Sequence, residues 1–267
     1  MSKVIGIVSE GPTDYLVLKT VIDKITGTEN KYLSLQPEAD LRGKFGNGWK
    51  GVWRWCKETE HLDLLMDCIQ PNIDLIVIQM DGDVIRKEKE VHCMCDSTMC
   101  TEKGKQFPLY CEAAKEGCPV AIPCPNHQYQ VSDSIQHGSS VLCTALEEDN
   151  KRVIITIPCD STDAWIVAAY DDIENAENIE DPWKSVIAKG KYYHDIRVRG
   201  DKKNTVTYAR FMDTLADKWN VVTERCLSAK VFEQDFIGAY NYQEMVANLA
   251  TKYDCRTTEK NPAQEQK

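Results

Sequence analysis

The chain contains no apolar run approaching the ~20 residues that a membrane-spanning helix needs, so no membrane span is expected. It also lacks a surplus of positive charge. The formal net charge is −10, which argues against a protein that coats nucleic acid through bulk electrostatics. An enzyme of nucleic acid is not excluded, because bound cations and a local basic patch can offset a global deficit. Met1-Ser2-Lys3 leads straight into an apolar run with no signal-peptide pattern, and a cytoplasmic protein is expected. There is no internal repeat. Cysteine is not scarce: in a reducing compartment the twelve present are expected as metal ligands or buried thiols rather than disulfides. The 267 residues, 42% apolar and 28% charged, fit one globular domain or a domain with an insertion.

Two short apolar runs end in acids: Val4-Ile5-Gly6-Ile7-Val8-Ser9-Glu10-Gly11-Pro12-Thr13-Asp14 and Ile73-Asp74-Leu75-Ile76-Val77-Ile78-Gln79-Met80-Asp81-Gly82-Asp83. Each reads as a buried strand closed by turn residues. Ligands of open parallel sheets bind beyond the carboxyl ends of the strands, so Glu10, Asp81 and Asp83 are expected at one edge. Three carboxylates there suit Mg²⁺ or Mn²⁺, and paired carboxylates repel one another without a cation.

Leu16, Leu18, Val21, Ile22 and Ile25 predict a helix from Asp14 to Ile25, with Pro12 at its start and Thr13 as a cap. Gly43 to Gly51 is glycine-rich and precedes a predicted helix from Val52 to about Cys68. With Lys44 and Lys50 the loop could cradle a phosphate; it lacks P-loop spacing and reads equally as a flexible connection. Residues 84–131 break the α/β rhythm. Helix then resumes over 132–148, a strand over Arg152–Ile157, and a helix from Asp163 to Tyr170 with Ser161 or Thr162 as cap. Residues 171–181 are acidic and loop-like. Lys189 to Lys203 is basic with Tyr192, Tyr193 and His194 interleaved, either a nucleic-acid contact through Lys191, Arg197, Arg199, Lys202 and Lys203 or a solvated hairpin. Tyr208, Phe211, Met212, Leu215, Ala216 and Trp219 carry helical spacing. One or two helices follow from Thr223 to Tyr253, then a polar tail, 257–267.

The order strand–Glu10-Gly11, then strand–Asp81-Gly82-Asp83, resembles the Toprim domain of topoisomerases, primases and related nucleases. Ser9-Glu10-Gly11-Pro12-Thr13-Asp14 is similar to the start of the small Toprim-like proteins of bacterial defence loci; the overcoming-lysogenization-defect nucleases belong to the same wider group. Ile157-Pro158-Cys159-Asp160-Ser161-Thr162-Asp163-Ala164-Trp165 also resembles one of their motifs. The resemblance spans about residues 3–83 and 150–172. It implies an α/β fold: a Toprim-like parallel sheet flanked by helices, with a core of 1–83 and 132–172; the apolar spacing adds a mainly helical C-terminal region over 173–256. The resemblance implies that Glu10 is a metal ligand or general acid/base, that Asp81 and Asp83 hold Mg²⁺ or Mn²⁺, and that Asp163, alone or with Asp160, completes a second position. Asp160 and Asp163 read equally as turn and cap residues. Such nucleases commonly carry a lysine that orients phosphate; Lys230 is a candidate by rough position, and reads otherwise as an exposed helix lysine.

The insertion over 84–131 holds His92, Cys93, Cys95, Cys100, Cys111, Cys118, Cys124 and His127 with little apolar periodicity. Too poor in apolar residues to build a core, it is expected to fold around a structural Zn²⁺. Cys95, Cys100, Cys118 and Cys124 are the first choice of ligands, with Cys93, Cys111 and His127 as substitutes. The expected function is a divalent-metal-dependent nuclease acting on DNA or RNA. Resemblance adds an antiphage defence role, beside a partner ATPase and in a possible homo-oligomer. Two alternatives remain: a non-catalytic Toprim and zinc scaffold or regulatory subunit, and a phosphatase of the haloacid dehalogenase type with Asp81 as nucleophile.

Overall fold

The structure is a computed structural model and describes residues 2–37, 46–85, 130–147, 150–198 and 203–257. The proposed zinc ligands lie outside the described residues, as do Lys44, Arg199, Lys202 and the tail over 258–267.

Four strands form a parallel sheet: β1 (Val4–Val8), β2 (Lys31–Gln36), β3 (Leu75–Gln79) and β4 (Val153–Thr156), in the order β2-β1-β3-β4. Both faces are covered, which is why β1 and β3 read as continuous apolar runs rather than as alternating ones. Ile5, Ile7, Leu75, Val77 and Ile154 point to one face, and Val8, Ile76 and Ile78 to the other. Gly6 belongs in the crowded centre: a Cβ there would lie 2.7 Å from the Leu35 side chain.

The first face packs against α1 (Pro12–Thr26), α5 (Thr162–Tyr170) and the C-terminal helices. The second packs against α2 (Trp49–Glu58), α3 (Leu62–Cys68) and α4 (Val131–Leu146). After α5 come a 3₁₀ turn (Ala176–Asn178), α6 (Pro182–Ala188) and a two-stranded antiparallel hairpin of β5 (Tyr192–Tyr193) and β6 (Ile196–Arg197). The chain ends in α7 (Thr205–Ala209), α8 (Met212–Asp217), α9 (Trp219–Arg225) and α10 (Leu227–Thr257). Among the described residues no helix is long and apolar enough to cross a membrane.

Several local expectations need correction. The helix expected over 52–68 is two helices, parted where His61 takes a left-handed conformation (φ 56°). The cap of α1 is Gly11, not Thr13, because Pro12 already occupies the first helical position. Strand β2 has no counterpart in the sequence reading: its pattern of exposed and half-buried residues is that of an edge strand. The helical spacing from Tyr208 to Trp219 belongs to three short helices rather than one.

The connections decide where a ligand would bind. The chain leaves β1 toward α1 on one face and leaves β3 toward α4 on the other. Since β1 and β3 are neighbours, their divergent exits open a crevice between them. This is the topological switch point, where open α/β sheets hold their ligands.

Candidate functional site

Glu10 follows β1 and Asp81 follows β3, so the two acids flank the switch point. A closed ring of hydrogen bonds ties the two turns together. The Glu10 amide donates to Gln79 Oε1 (3.1 Å), Gln79 Nε2 donates to Asp81 Oδ1 (2.7 Å), and the Asp81 amide donates to Glu10 Oε1 (2.8 Å). Gln79 is wholly buried, and this ring satisfies both ends of its amide. The first turn of α2 closes over the same acid: the Gly48 amide donates to the Glu10 carbonyl (3.0 Å), and the Trp49 amide bonds to the Glu10 carboxylate. The glycine-rich segment expected as a phosphate cradle thus holds Glu10, and Lys50 lies exposed against the Trp49 ring.

A second group of acids adjoins the first. Asp14, on the first turn of α1, accepts from the Thr162 hydroxyl (2.6 Å). Asp163 accepts from the Tyr208 hydroxyl and from Ser161 Oγ (3.1 Å), and pairs with Lys203 Nζ at 2.5 Å. Asp83 is half-buried beside Asp81, its amide donating to the Asp160 carbonyl (2.7 Å). Asp160 accepts from the Asp181 amide (3.2 Å) through Oδ2, at the start of α6.

Five carboxylates, those of Glu10, Asp14, Asp81, Asp83 and Asp163, gather here with Lys203. Burial pushes Glu10 up to about 8, with Asp14 and Asp83 adding repulsion against the two backbone amides that favour its charge. Burial likewise lifts Asp14 to about 6, against the pull of Thr162 and Lys203. Asp81 is held well above the usual carboxylate range by burial and then by Asp14, Glu10 and Asp83. For Lys203 burial works against the charge, but Asp163, Asp81 and Asp14 outweigh it and hold the amine above its ordinary value. Near neutral pH the cluster retains protons that isolated carboxylates would have lost. Among the described residues no three His, Cys, Asp or Glu side chains converge as a ready-made metal-binding group.

Of the expected site residues, Glu10, Asp81, Asp83 and Asp163 share this neighbourhood. Lys230 is exposed in the first turn of α10, and the lysine that reaches the acids is Lys203, expected instead as a backbone-binding residue. Lys191 and Arg197 are exposed on the hairpin. Asp14, Gln79, Thr162 and Tyr208 were not singled out as site residues. Asp14 stands four positions after Glu10, and Gln79 is a polar residue at the end of an otherwise apolar strand; both are readable signals. Tyr208 looked like any residue of an apolar helix face.

Fold and edge cluster together define an open α/β protein with an acidic site at its switch point. No protein-family model, curated protein or solved structure matches the chain.

Proposed function

We propose that the chain is a divalent-metal-dependent nuclease of Toprim type. The observation that carries this reading is the meeting of Glu10 with Asp81 and Asp83 across the β1–β3 switch point, in the chain order that the Toprim resemblance implies. The donor set favours a hard dication: it is all oxygen and carries more carboxylates than Lys203 alone offsets. Glu10, Asp81 and Asp83, which do not converge as a ready-made metal group, would have to draw together to hold the ion, which when bound supplies charge stabilisation at a phosphoryl group and a more acidic water. Lys203, paired with Asp163 beside these acids, would take the phosphate-orienting role that the resemblance implies, in place of Lys230. Gln79 keeps Glu10 and Asp81 in register. Resemblance extends the proposal to a cytoplasmic antiphage effector working with a partner ATPase, and to a zinc-bound insertion.

The test is cleavage of labelled plasmid DNA, single-stranded DNA and bulk tRNA with Mg²⁺ or Mn²⁺, comparing wild type with Asp81→Ala. Cleavage by wild type alone is the expected result. Titration of Mn²⁺ by calorimetry supplies an independent readout: a site lost in Asp81→Ala supports the assignment, and no binding to wild type removes it.

One observation favours a second reading, a non-catalytic scaffold. Glu10 and Asp81 are engaged with amides and Asp163 with Lys203 and Tyr208, so each of these carboxylates already has a partner without an ion. Metal binding without cleavage of any of the three substrates would select the scaffold.

A further inference from the structure

Next to the carboxylates lies a second concavity, between the β5–β6 hairpin and α7. It is a cleft of about 690 Å³, within the roughly 300–1,000 Å³ typical of small-ligand sites. Among the described residues Tyr192, Arg197, Val206 and Arg210 line it, with Asn204 and one acid, Asp195. Tyr192 is 58% exposed and Val206 70% exposed, so apolar surface stands in water at a cleft that also carries two guanidinium groups. Neither Arg197 nor Arg210 forms an ion pair among the described residues.

The platform under Tyr192 is firm. Its neighbour Tyr193 is buried and packs on Tyr170 and Phe211, so strand alternation turns the Tyr192 ring outward. On the other wall, Asn204 Oδ1 accepts from the Thr207 amide (2.9 Å) and fixes the start of α7. One stretch of chain serves both places. Lys203 and Tyr208 touch Asp163, while Asn204 and Val206 line the cleft. A ligand seated there would therefore run alongside the acids.

The geometry points to a subsite for single-stranded nucleic acid, in which an unpaired base stacks on Tyr192 and adjacent phosphates engage Arg197 and Arg210. The proposal rests on the reading of the chain as a phosphodiester-cleaving enzyme and adds the strandedness of its substrate. An exposed ring between cations is how sequence-tolerant single-strand sites are built. A duplex keeps its base faces stacked and cannot use the ring.

The test is fluorescence anisotropy of the full chain with labelled oligothymidylate and oligouridylate of about 12 nucleotides, in EDTA so that metal-dependent cleavage is silent. Tyr192→Ala should weaken binding about tenfold, and Tyr192→Phe should leave it near wild type. The Arg197→Ala/Arg210→Ala double variant should weaken it more. It should also flatten the dependence of log affinity on log salt by about 0.7 per lost phosphate contact. All these positions are exposed, and circular dichroism checks that the variants fold. The subsite is overturned if wild type binds no single strand, if the variants bind like wild type, if a blunt duplex binds equally well, or if polyglutamate displaces the strand as effectively as unlabelled oligonucleotide.

The two readings can fail separately. Wild type that cleaves with Mg²⁺ while cleft variants bind and cleave unchanged would remove the subsite and leave the nuclease. Cleft variants that lose binding, with no cleavage by wild type under any metal, would leave the subsite and remove the nuclease.

Discussion

The two halves of the acidic cluster solve the same electrostatic problem differently. Around Asp163 and Asp14, charge is met by Lys203 and by the hydroxyls of Tyr208, Ser161 and Thr162. Around Glu10 and Asp81 the partners are neutral: two main-chain amides and the side chain of Gln79. A neutral donor orients a carboxylate but does not cancel its charge, so this second half is pushed hardest toward its protonated form. Lys203 reaches Asp81 only through space, so the half whose hydrogen-bond partners are all neutral is the one on which an incoming cation would gain most.

The contrast can be broken first at the uncompensated half. Glu10→Gln or Asp81→Asn should lower metal-dependent cleavage by more than the roughly 10–100-fold that loss of a mere supporting partner costs, read as kcat/KM with saturating Mn²⁺. Either change should leave the metal-free fold as stable as wild type or more so, because it removes repulsion. A large drop in metal-free stability would mean that these acids serve the fold rather than a ligand.

Lys203→Met attacks the compensated half, and here stability should suffer. It leaves Asp163 buried without its cation, a loss of about 3 kcal/mol in urea unfolding, at the low end for an orphaned buried ion because the Lys203 side chain is 37% exposed. Adding Asp163→Asn to Lys203→Met should recover most of that loss. Additive costs would show that the two residues are not coupled.

Protonation separates the halves more gently. Glu10 moves from an ordinary value near 4.5 to about 8, and Asp14 from 3.8 to about 6. The folded chain therefore binds more protons than the unfolded one across this range, and stability contributed at low pH is lost as pH rises from about 4 to about 8. In EDTA the urea midpoint should fall between pH 5 and pH 8, less so in Glu10→Gln, and Mn²⁺ should restore it at pH 8. A difference between wild type and Glu10→Gln that does not change with pH would contradict the assignment.

Gln79→Leu should have the smallest effect, about 1–3 kcal/mol for the polar groups it orphans, together with a raised metal requirement. Unchanged metal affinity in this variant would mean that the hydrogen-bonded ring does not position the acids.

The sequence carried three of the four strands and most of the acids because both are local signals. An apolar run of five residues ending in a carboxylate names a strand and its ligand edge together, as at Val8-Ser9-Glu10 and Gln79-Met80-Asp81. The rest depends on distance in the chain. Lys203 meets Asp163 across forty residues, and nothing in the spacing of its neighbours distinguishes it from Lys191 or Lys230. Tyr208 wears the pattern of a core aromatic, and only the fold reveals that its hydroxyl ends on Asp163. Strand β2 escaped because an edge strand with one half-covered face lacks the long apolar run that marked β1 and β3.

Strand β4 has a consequence for the life of this chain at high concentration. Val153-Ile154-Ile155-Thr156 is short, β-branched and uncharged, at the open margin of the sheet, the kind of segment that templates aggregation between molecules. Helices α4 and α10 stand on either side and leave it at the floor of a groove of about 570 Å³. Lys151 and Arg152 guard its start, Arg152 paired with Asp63 and with Asp67 at 3.3 Å. The long terminal helix is thus also a shield: a chain truncated before α10 should scatter light soon after refolding, whereas the intact chain at the same concentration should stay clear.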